Sequence, residues 1–436
     1  MIRRMIVLPF IASTLVAGLL WAGPVFKTDD ALLICGDSIT EQKVYSVYIE
    51  DYLLMCQGVA GIKTMQFGWG GDTAQHFAGH MKNDVLTLFP TVATTSYGMN
   101  DSGYDIVNPE TEKNYRSGLT KIVETFKNAN TRLVIIGSPG AVDPFYFKNP
   151  KHRNVNARDF NQTLERLVAV GKQVAQANGM LFADLHTPMM DAMIKAKAKF
   201  GQDYPVPGSN DGVHGEPQGH LVMAYGFLRA MGFDGNIGTI TYDAANGTAT
   251  ASDGHRIVSA NGDRIVVESH RYPFCFFNGS LDADKADALS GLNNWHYGNA
   301  AILPFLPFNK DLNRYVLIVK SLKSPRARIT WGEQSKVFTA EQLAAGINLA
   351  AEFLKNPFVK PFMEVNKAVE QKQAFETMFL KDYLSEKEPN LLRSLPSKEA
   401  SIKAVEAGFR DIHKGLLENC SKAVHPVTHT IKIEEQ

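Results

Sequence analysis

Four short segments of this chain carry residue types that acyl transfer needs. The first is Gly36-Asp37-Ser38-Ile39-Thr40 and the second is Gln66-Phe67-Gly68-Trp69-Gly70-Gly71-Asp72-Thr73. The third is Gly98-Met99-Asn100-Asp101 and the fourth is Asp211-Gly212-Val213-His214. Singly, each has a plainer reading: a turn, a tight glycine loop, an Asx turn or a loop hydrogen bond. Together they could supply a nucleophile, a base, an orienting acid and donors for an oxyanion. A serine hydroxyl is a poor nucleophile until a base takes its proton. Ser38 is the candidate nucleophile, and His214 the candidate base, because an imidazole titrates near neutrality. Asp211 stands three residues before His214, so one turn can present both side chains. Its carboxylate would hold the imidazole tautomer and stabilise the imidazolium. The Gly-x-Ser-x-Gly elbow of α/β-hydrolases is absent around Ser38, which argues against that fold.

The elements that must position these segments alternate. Residues 31–35 form a short continuous apolar run that reads as a buried parallel strand. Further strands are expected at 92–97, 132–136 and 180–184. Helical spacing appears at 44–54 and 115–128, and most clearly at 160–178. Strand, loop and helix in repetition predict a parallel sheet covered on both faces. Active sites in such sheets lie at the carboxyl ends of the strands, where the first and third segments fall.

In this order the segments resemble the four blocks of the SGNH (GDSL-type) hydrolase family. The resemblance covers roughly residues 30 to 232. It implies a three-layer α/β sandwich of flavodoxin-like kind with a central parallel sheet, and a serine esterase of the acetylesterase type. Ser38 takes the nucleophile position, with His214 as base and Asp211 as its acid. The family's Asn-x-Gly-x-x-Gly block reads Gln66-Phe67-Gly68-Trp69-Gly70-Gly71, with Gln66 in place of Asn. That match implies Gly71 as an oxyanion glycine, with Gly70 a close competitor. The Gly-x-Asn-Asp block implies Asn100 as the side-chain donor, beside the N–H groups of Ser38 and Gly71. Gly215 follows His214 where the family often has Pro. Trp69 either lines the acyl or sugar pocket or packs against the sheet.

With 436 residues, 44% of them hydrophobic and 21% charged, the chain can bury a large core. The net charge of zero offers no field for nucleic acid. A small-molecule or glycan ester is the expected partner, without cofactor or metal. Arg3 and Arg4 precede an apolar run to about Trp21 and the small residues Ala22 and Gly23. Residues 1–23 therefore read as a cleaved signal peptide, so the protein is expected to be secreted or periplasmic, with no stable membrane insertion after cleavage. No later segment is apolar enough to span a membrane. Cys35, Cys56, Cys275 and Cys420 fit no zinc spacing, and either bridges or buried thiols are open. His76 and His80 stand at helical i, i+4 spacing, but no carboxylate partner is evident, so a metal is not expected. His186 and His220 are read as structural.

The hydrolase domain is expected over 24–235. Asn246-Gly247, Asp253-Gly254 and Asn261-Gly262 mark hairpins in a β-rich module over 236–335. A helical region over 336–436 follows, with helices at 339–354, 359–384 and 398–419. Two alternatives to acetyl removal from carbohydrate stay open. One is a lipase or lysophospholipase, the other an inactive glycan-binding protein.

Overall fold

The apolar run Ala31–Gly36 forms β1, an inner strand of a five-stranded parallel sheet. In the computed structural model, which describes residues 23–84, 89–277, 298–384 and 398–436, that sheet has the order β2-β1-β3-β4-β5. The other strands are β2 (Lys63–Gly68), β3 (Val92–Ser96), β4 (Leu133–Gly137) and β5 (Leu181–Ala183). The order 2-1-3-4-5 is the doubly wound arrangement, with its switch point between β1 and β3. The expected α/β sandwich is therefore what the chain forms. The expected signal segment, apart from Gly23, lies outside the described residues.

β1 shows why both faces must be covered. Leu32 and Ile34 enter one core with Tyr48, Ile49 and Phe227, while Leu33 and Cys35 enter a second with Phe77, Leu119 and Leu167. A one-turn helix α1 (Ser38–Glu41) follows β1, capped by Asp37, whose carboxylate accepts the Ile39 N–H at 3.0 Å. The remaining helices of this unit are α2 (Tyr45–Met55), α3 (Ala74–Asp84), α4 (Pro109–Asn128), α5 (Ala157–Asn178), α6 (His186–Phe200) and α7 (Pro217–Ala230). Helix α5 has Asn156 as N-cap and ends at Gly179 in the left-handed conformation, φ +66°.

Beyond α7 two further sheets form. A four-stranded sheet has the order β13-β10-β6-β7, from β6 (Asn236–Asp243), β7 (Thr248–Ala251), β10 (Arg314–Lys320) and β13 (Ile347–Asn348). A five-stranded antiparallel sheet has the order β12-β11-β14-β9-β8. Its strands are β8 (His255–Asn261), β9 (Arg264–Ser269), β11 (Arg326–Trp331), β12 (Gln334–Thr339) and β14 (Val427–Glu435). Of the three hairpin signals, Asn246-Gly247 joins β6 to β7 and Asn261-Gly262 joins β8 to β9. Asp253-Gly254 instead carries the chain from one sheet to the other. Residues 336–436 are helical in the main but end in β14, which runs between β11 and β9.

The two long C-terminal helices are α8 (Val359–Phe379) and α9 (Lys398–Ala423). Helix α8 continues into a single wider turn, Leu380–Leu384. It covers the otherwise open edge strand β2 and packs on α2. This interface is polar and fully buried. Lys372 lies 2.6 Å from Glu376 and 3.1 Å from Glu50, and Glu376 accepts the Gln66 N–H at 2.9 Å. All four cysteines are free and buried. No helix among the described residues is long and apolar enough to cross a membrane.

Candidate active site

Ser38 begins α1 at the carboxyl end of β1. Its Oγ lies 2.7 Å from His214 Nε2, and His214 Nδ1 lies 2.6 Å from Asp211 Oδ2. The Asp211 carboxylate also accepts the N–H groups of Val213 at 2.8 Å and His214 at 2.9 Å. One turn therefore fixes both side chains, as the three-residue spacing requires. The loop is held from behind by buried Asp143, which accepts the Val206 N–H at 3.0 Å and pairs with Lys197 at 2.9 Å. Its own N–H donates to Gly212 O at 2.8 Å. Gln42 Nε2 reaches Gly215 O at 3.3 Å from the α1 side. That contact and the Glu216 N–H to Pro207 O bond hold the loop where the family often has proline.

The electrostatics suit a base. The hydrogen bond that the His214 ring donates to Asp211 raises His214 above its ordinary value; partial burial opposes this without cancelling it. Asp211 is pushed upward by burial, but the His214 ring and two backbone N–H groups outweigh this and bring it down to about 2. The carboxylate thus stays charged wherever the imidazole titrates.

The glycine segment closes over Ser38. Gly68 ends β2 against α1, where a Cβ would lie 2.2 Å from Glu41 N. The Gly70 N–H donates to Glu41 Oε2 at 2.7 Å and is thereby occupied. Gly71 has φ +76°, and nothing lies within 4 Å of where its Cβ would be. It is the glycine that both needs the left-handed conformation and faces open space. Asn100 Nδ2 donates to Asp72 O at 3.1 Å, with a longer 3.5 Å approach to Asp37 Oδ2. An amide nitrogen carries two hydrogens, and the one held only by the 3.5 Å approach to Asp37 is the one that an oxyanion would draw. Asp101 braces both loops: it accepts the Ala74 N–H at 2.9 Å and the Gly98 N–H at 2.8 Å. Burial raises Asp101 to about 7, and it raises Asp37 to about 7 as well; in each case the nearby Asp72 charge adds to the effect.

Trp69 is half-buried against the second core, and Lys381 Nζ lies 5.5 Å from its ring centroid. Lys381 comes from the turn after α8 and ion-pairs with Glu41. Ser38, Glu41, Gln42, Gly70, Asn210, His214 and Lys381 line one open depression. A cavity of about 1220 Å³ lies elsewhere, between α2, β2 and α9, and contains neither Ser38 nor His214. His186 and His220 are buried, with His186 Nδ1 2.8 Å from Gly140 O and His220 Nε2 3.2 Å from Gln42 Oε1. Gln66 has a structural reason to replace Asn. Its Nε2 donates to Thr40 O at 2.7 Å and its Oε1 accepts from Thr377 at 3.0 Å, so the longer side chain reaches α8. Sequence reasoning missed Glu41, Asp101 and Lys381. Glu41 and Asp101 stand beside or inside the quoted segments, whereas no local signal marks Lys381, some 340 residues from its partner. It also missed a carboxylate for the histidine pair: Asp72 Oδ1 lies 2.5 Å from His76 Nδ1 and its Oδ2 3.3 Å from His80 Nε2.

A doubly wound sheet with a Ser-His-Asp chain over the carboxyl end of its first strand defines a hydrolase-type α/β protein. Residues 34–222 match the GDSL-like lipase/acylhydrolase family, and the hydrolase domain of this chain belongs to it. The protein is a carboxylic ester hydrolase. An acetylxylan esterase of Geobacillus stearothermophilus is 23% identical over 223 residues, 47% of this chain and 95% of that protein. Among solved structures, a gut microbial diltiazem-metabolizing enzyme aligns with a TM-score of 0.72 at 22% identity, over 96% of this chain and all of that one. The added sheets and helices therefore belong to an architecture found in another enzyme. A structure of an acetylxylan esterase from Geobacillus stearothermophilus aligns over 48% of this chain and 96% of its own, with a TM-score of 0.37 and 22% identity.

Proposed function

We propose that this protein removes small acyl groups, chiefly O-acetyl, from carbohydrate or a related small ester through an acyl-serine intermediate, and that it acts after secretion. The observation that carries the chemistry is the unbroken line of hydrogen bonds from Ser38 Oγ through the His214 ring to Asp211. His214 Nε2 takes the hydroxyl proton as Ser38 Oγ bonds to the ester carbonyl carbon. The carbonyl oxygen becomes an oxyanion facing the N–H groups of Ser38 and Gly71 and the Asn100 amide. The tetrahedral intermediate collapses as His214 returns the proton to the leaving alcohol. Water, deprotonated by the same imidazole, then attacks the acyl-serine and releases the acid.

The carbohydrate part rests on the acetylxylan esterase relative and on the charge-neutral chain. Trp69 is the proposed contact for the alcohol portion, sharing its ring with Lys381. The test is acetate release from acetylated sugars, xylan and sialic acid included, beside a chain-length series of p-nitrophenyl esters. Turnover falling steeply beyond the acetyl ester is expected. Preference for long acyl chains would overturn the acetylesterase reading in favour of a lipase.

A further inference from the structure

Asp72, His76 and His80 follow one another at intervals of four, which on a helix stacks side chains on one side. Here Asp72 stands just ahead of α3 and the two histidines lie on its first two turns. One donor atom from each, two imidazole nitrogens and a carboxylate oxygen, lies within 4.8 Å of the others. The Asp72 carboxylate is fully buried, and its main chain is fixed because Asp72 O accepts the Asn100 amide. The His76 side chain is 67% exposed, which leaves one side open for water or a further ligand.

We propose that Asp72, His76 and His80 form a binding site for a divalent transition-metal ion of the zinc type, set directly behind the Gly71 loop. The donor set fits the chemistry. Two imidazoles and one carboxylate suit zinc, cobalt, nickel and copper, whereas calcium and magnesium take oxygen ligands. Zinc holds nitrogen and carboxylate oxygen about 2.0–2.2 Å away, so tetrahedral ligands stand about 3.3–3.5 Å apart. The Asp72 Oδ1–His76 Nδ1 pair at 2.5 Å would open by about 0.8–1 Å, and the Asp72 Oδ2–His80 Nε2 pair at 3.3 Å already stands near that spacing. The surroundings also favour a cation. Asp37, Asp72 and Asp101 put three carboxyl groups into one buried region. A divalent ion on Asp72 would add positive charge there and pin the residue that follows Gly71 and holds Asn100.

The test uses the full chain, stripped with a chelator and dialysed. Zinc titrated into it by calorimetry should bind one to one, and a hundredfold excess over Kd should raise Tm by at least about 2 °C. Cobalt should give the visible absorption of a low-coordinate ion. His76→Ala, His80→Ala and Asp72→Asn should each weaken zinc binding at least tenfold. Absence of binding, or binding unmoved by the histidine substitutions, would overturn the site. Full affinity in Asp72→Asn would overturn it too, because an exposed histidine pair alone would then account for the metal. Should Asp72→Asn fail to fold, anomalous scattering from a zinc-soaked wild-type crystal decides. The ion must lie about 2 Å from all three donor atoms, and any other position rejects the proposal.

Discussion

Ser38 and His214 are 176 positions apart in the chain and 2.7 Å apart in space, and on the proposed mechanism they act as one unit. Ser38→Ala and His214→Ala should therefore each lower kcat by about 10⁶, and the double variant should be little worse. Their Tm values should stay within about 2 °C of wild type, since neither side chain belongs to the core. Residual wild-type turnover in either would reject the assignment. The pH profile follows from the sign of the His214 shift. The active base is neutral, and Asp211 raises the pKa, so kcat/KM should fall as pH drops through a value above the ordinary 6.5 or so. In Asp211→Asn that acidic limb should move to lower pH while turnover at pH 8 also drops. A limb that stays in place would show that Asp211 does not set the imidazole. Asn100→Ala separates two roles by measurement. As an oxyanion donor it should cost about a hundredfold or more in kcat with KM little changed. As a turn residue alone it would cost about 1 kcal/mol of stability with turnover intact. Measuring Tm and kcat on one preparation distinguishes them.

At the scale of elements, the C-terminal helices reach into the site rather than hang beside it. Lys381 ties Glu41, and Glu41 ties the Gly70 N–H, so a residue beyond α8 steadies the glycine loop. Lys381→Met should lower kcat/KM about tenfold through misplacement of that loop while Tm changes by no more than about 2 °C, because a part-exposed ion pair contributes little stability. Equal loss of Tm and activity would mean that the helix end itself is unravelling. The buried Lys372 behaves in the opposite way. Burial works against its charge, but Glu376 and Glu50 outweigh that and raise its pKa. Lys372→Met strands two buried carboxylates and should cost about 3–5 kcal/mol in a denaturant titration. The same contacts explain what the sequence did and did not disclose. β1, β4 and β5 are apolar runs and β3 is a β-prone one, and all four were legible. β2 was not, because Lys63, Thr64 and Gln66 interrupt it, and two of these face polar groups: the Lys372 ammonium donates to Thr64 O, and Gln66 bonds Glu376 and Thr377. β14 carried a clear signal that a helical reading of the tail passed over: Val427, His429, Ile431 and Ile433 are buried and alternate with polar residues. The Ser38, Asp211 and His214 arrangement could be anticipated because short local segments carry it, one at the end of β1 and one in the connection between α6 and α7. Lys381 could not, because only tertiary packing brings it there.

At the scale of the whole molecule, α2 explains why the hydrolase unit and its extension are one folding problem. Ten of its eleven residues are buried, including Ser46, Glu50 and Asp51, so it has no solvent face. One side packs on the parallel sheet and α7. The other meets the extension: Tyr52 OH donates to Leu312 O at 2.9 Å, and Asp51 accepts from Asn366 at 2.7 Å. Ser46 donates to Gln373 at 2.7 Å, and Tyr48 meets Phe274 edge-on at 6.0 Å. The acetylxylan esterase relative matches this chain over 95% of its own length within 223 residues, so a related unit exists without such an extension. This chain has instead built its α2 for burial on both sides. Residues 24–235 produced alone should therefore expose Tyr48, Tyr52 and the edge strand β2 at once. Such a patch invites aggregation, and an uncovered edge invites strand pairing. The fragment should be insoluble, or soluble with strong ANS binding and no cooperative melt, and its hydrolysis of p-nitrophenyl acetate per folded molecule should be far below that of the full chain. The full chain should melt in one transition, because the core that contains Ile34 also contains Trp331 and Ile431. A soluble fragment with a cooperative melt and full-chain kcat would show that the extension is an accessory, and that α2 tolerates water on the side it now turns to α8.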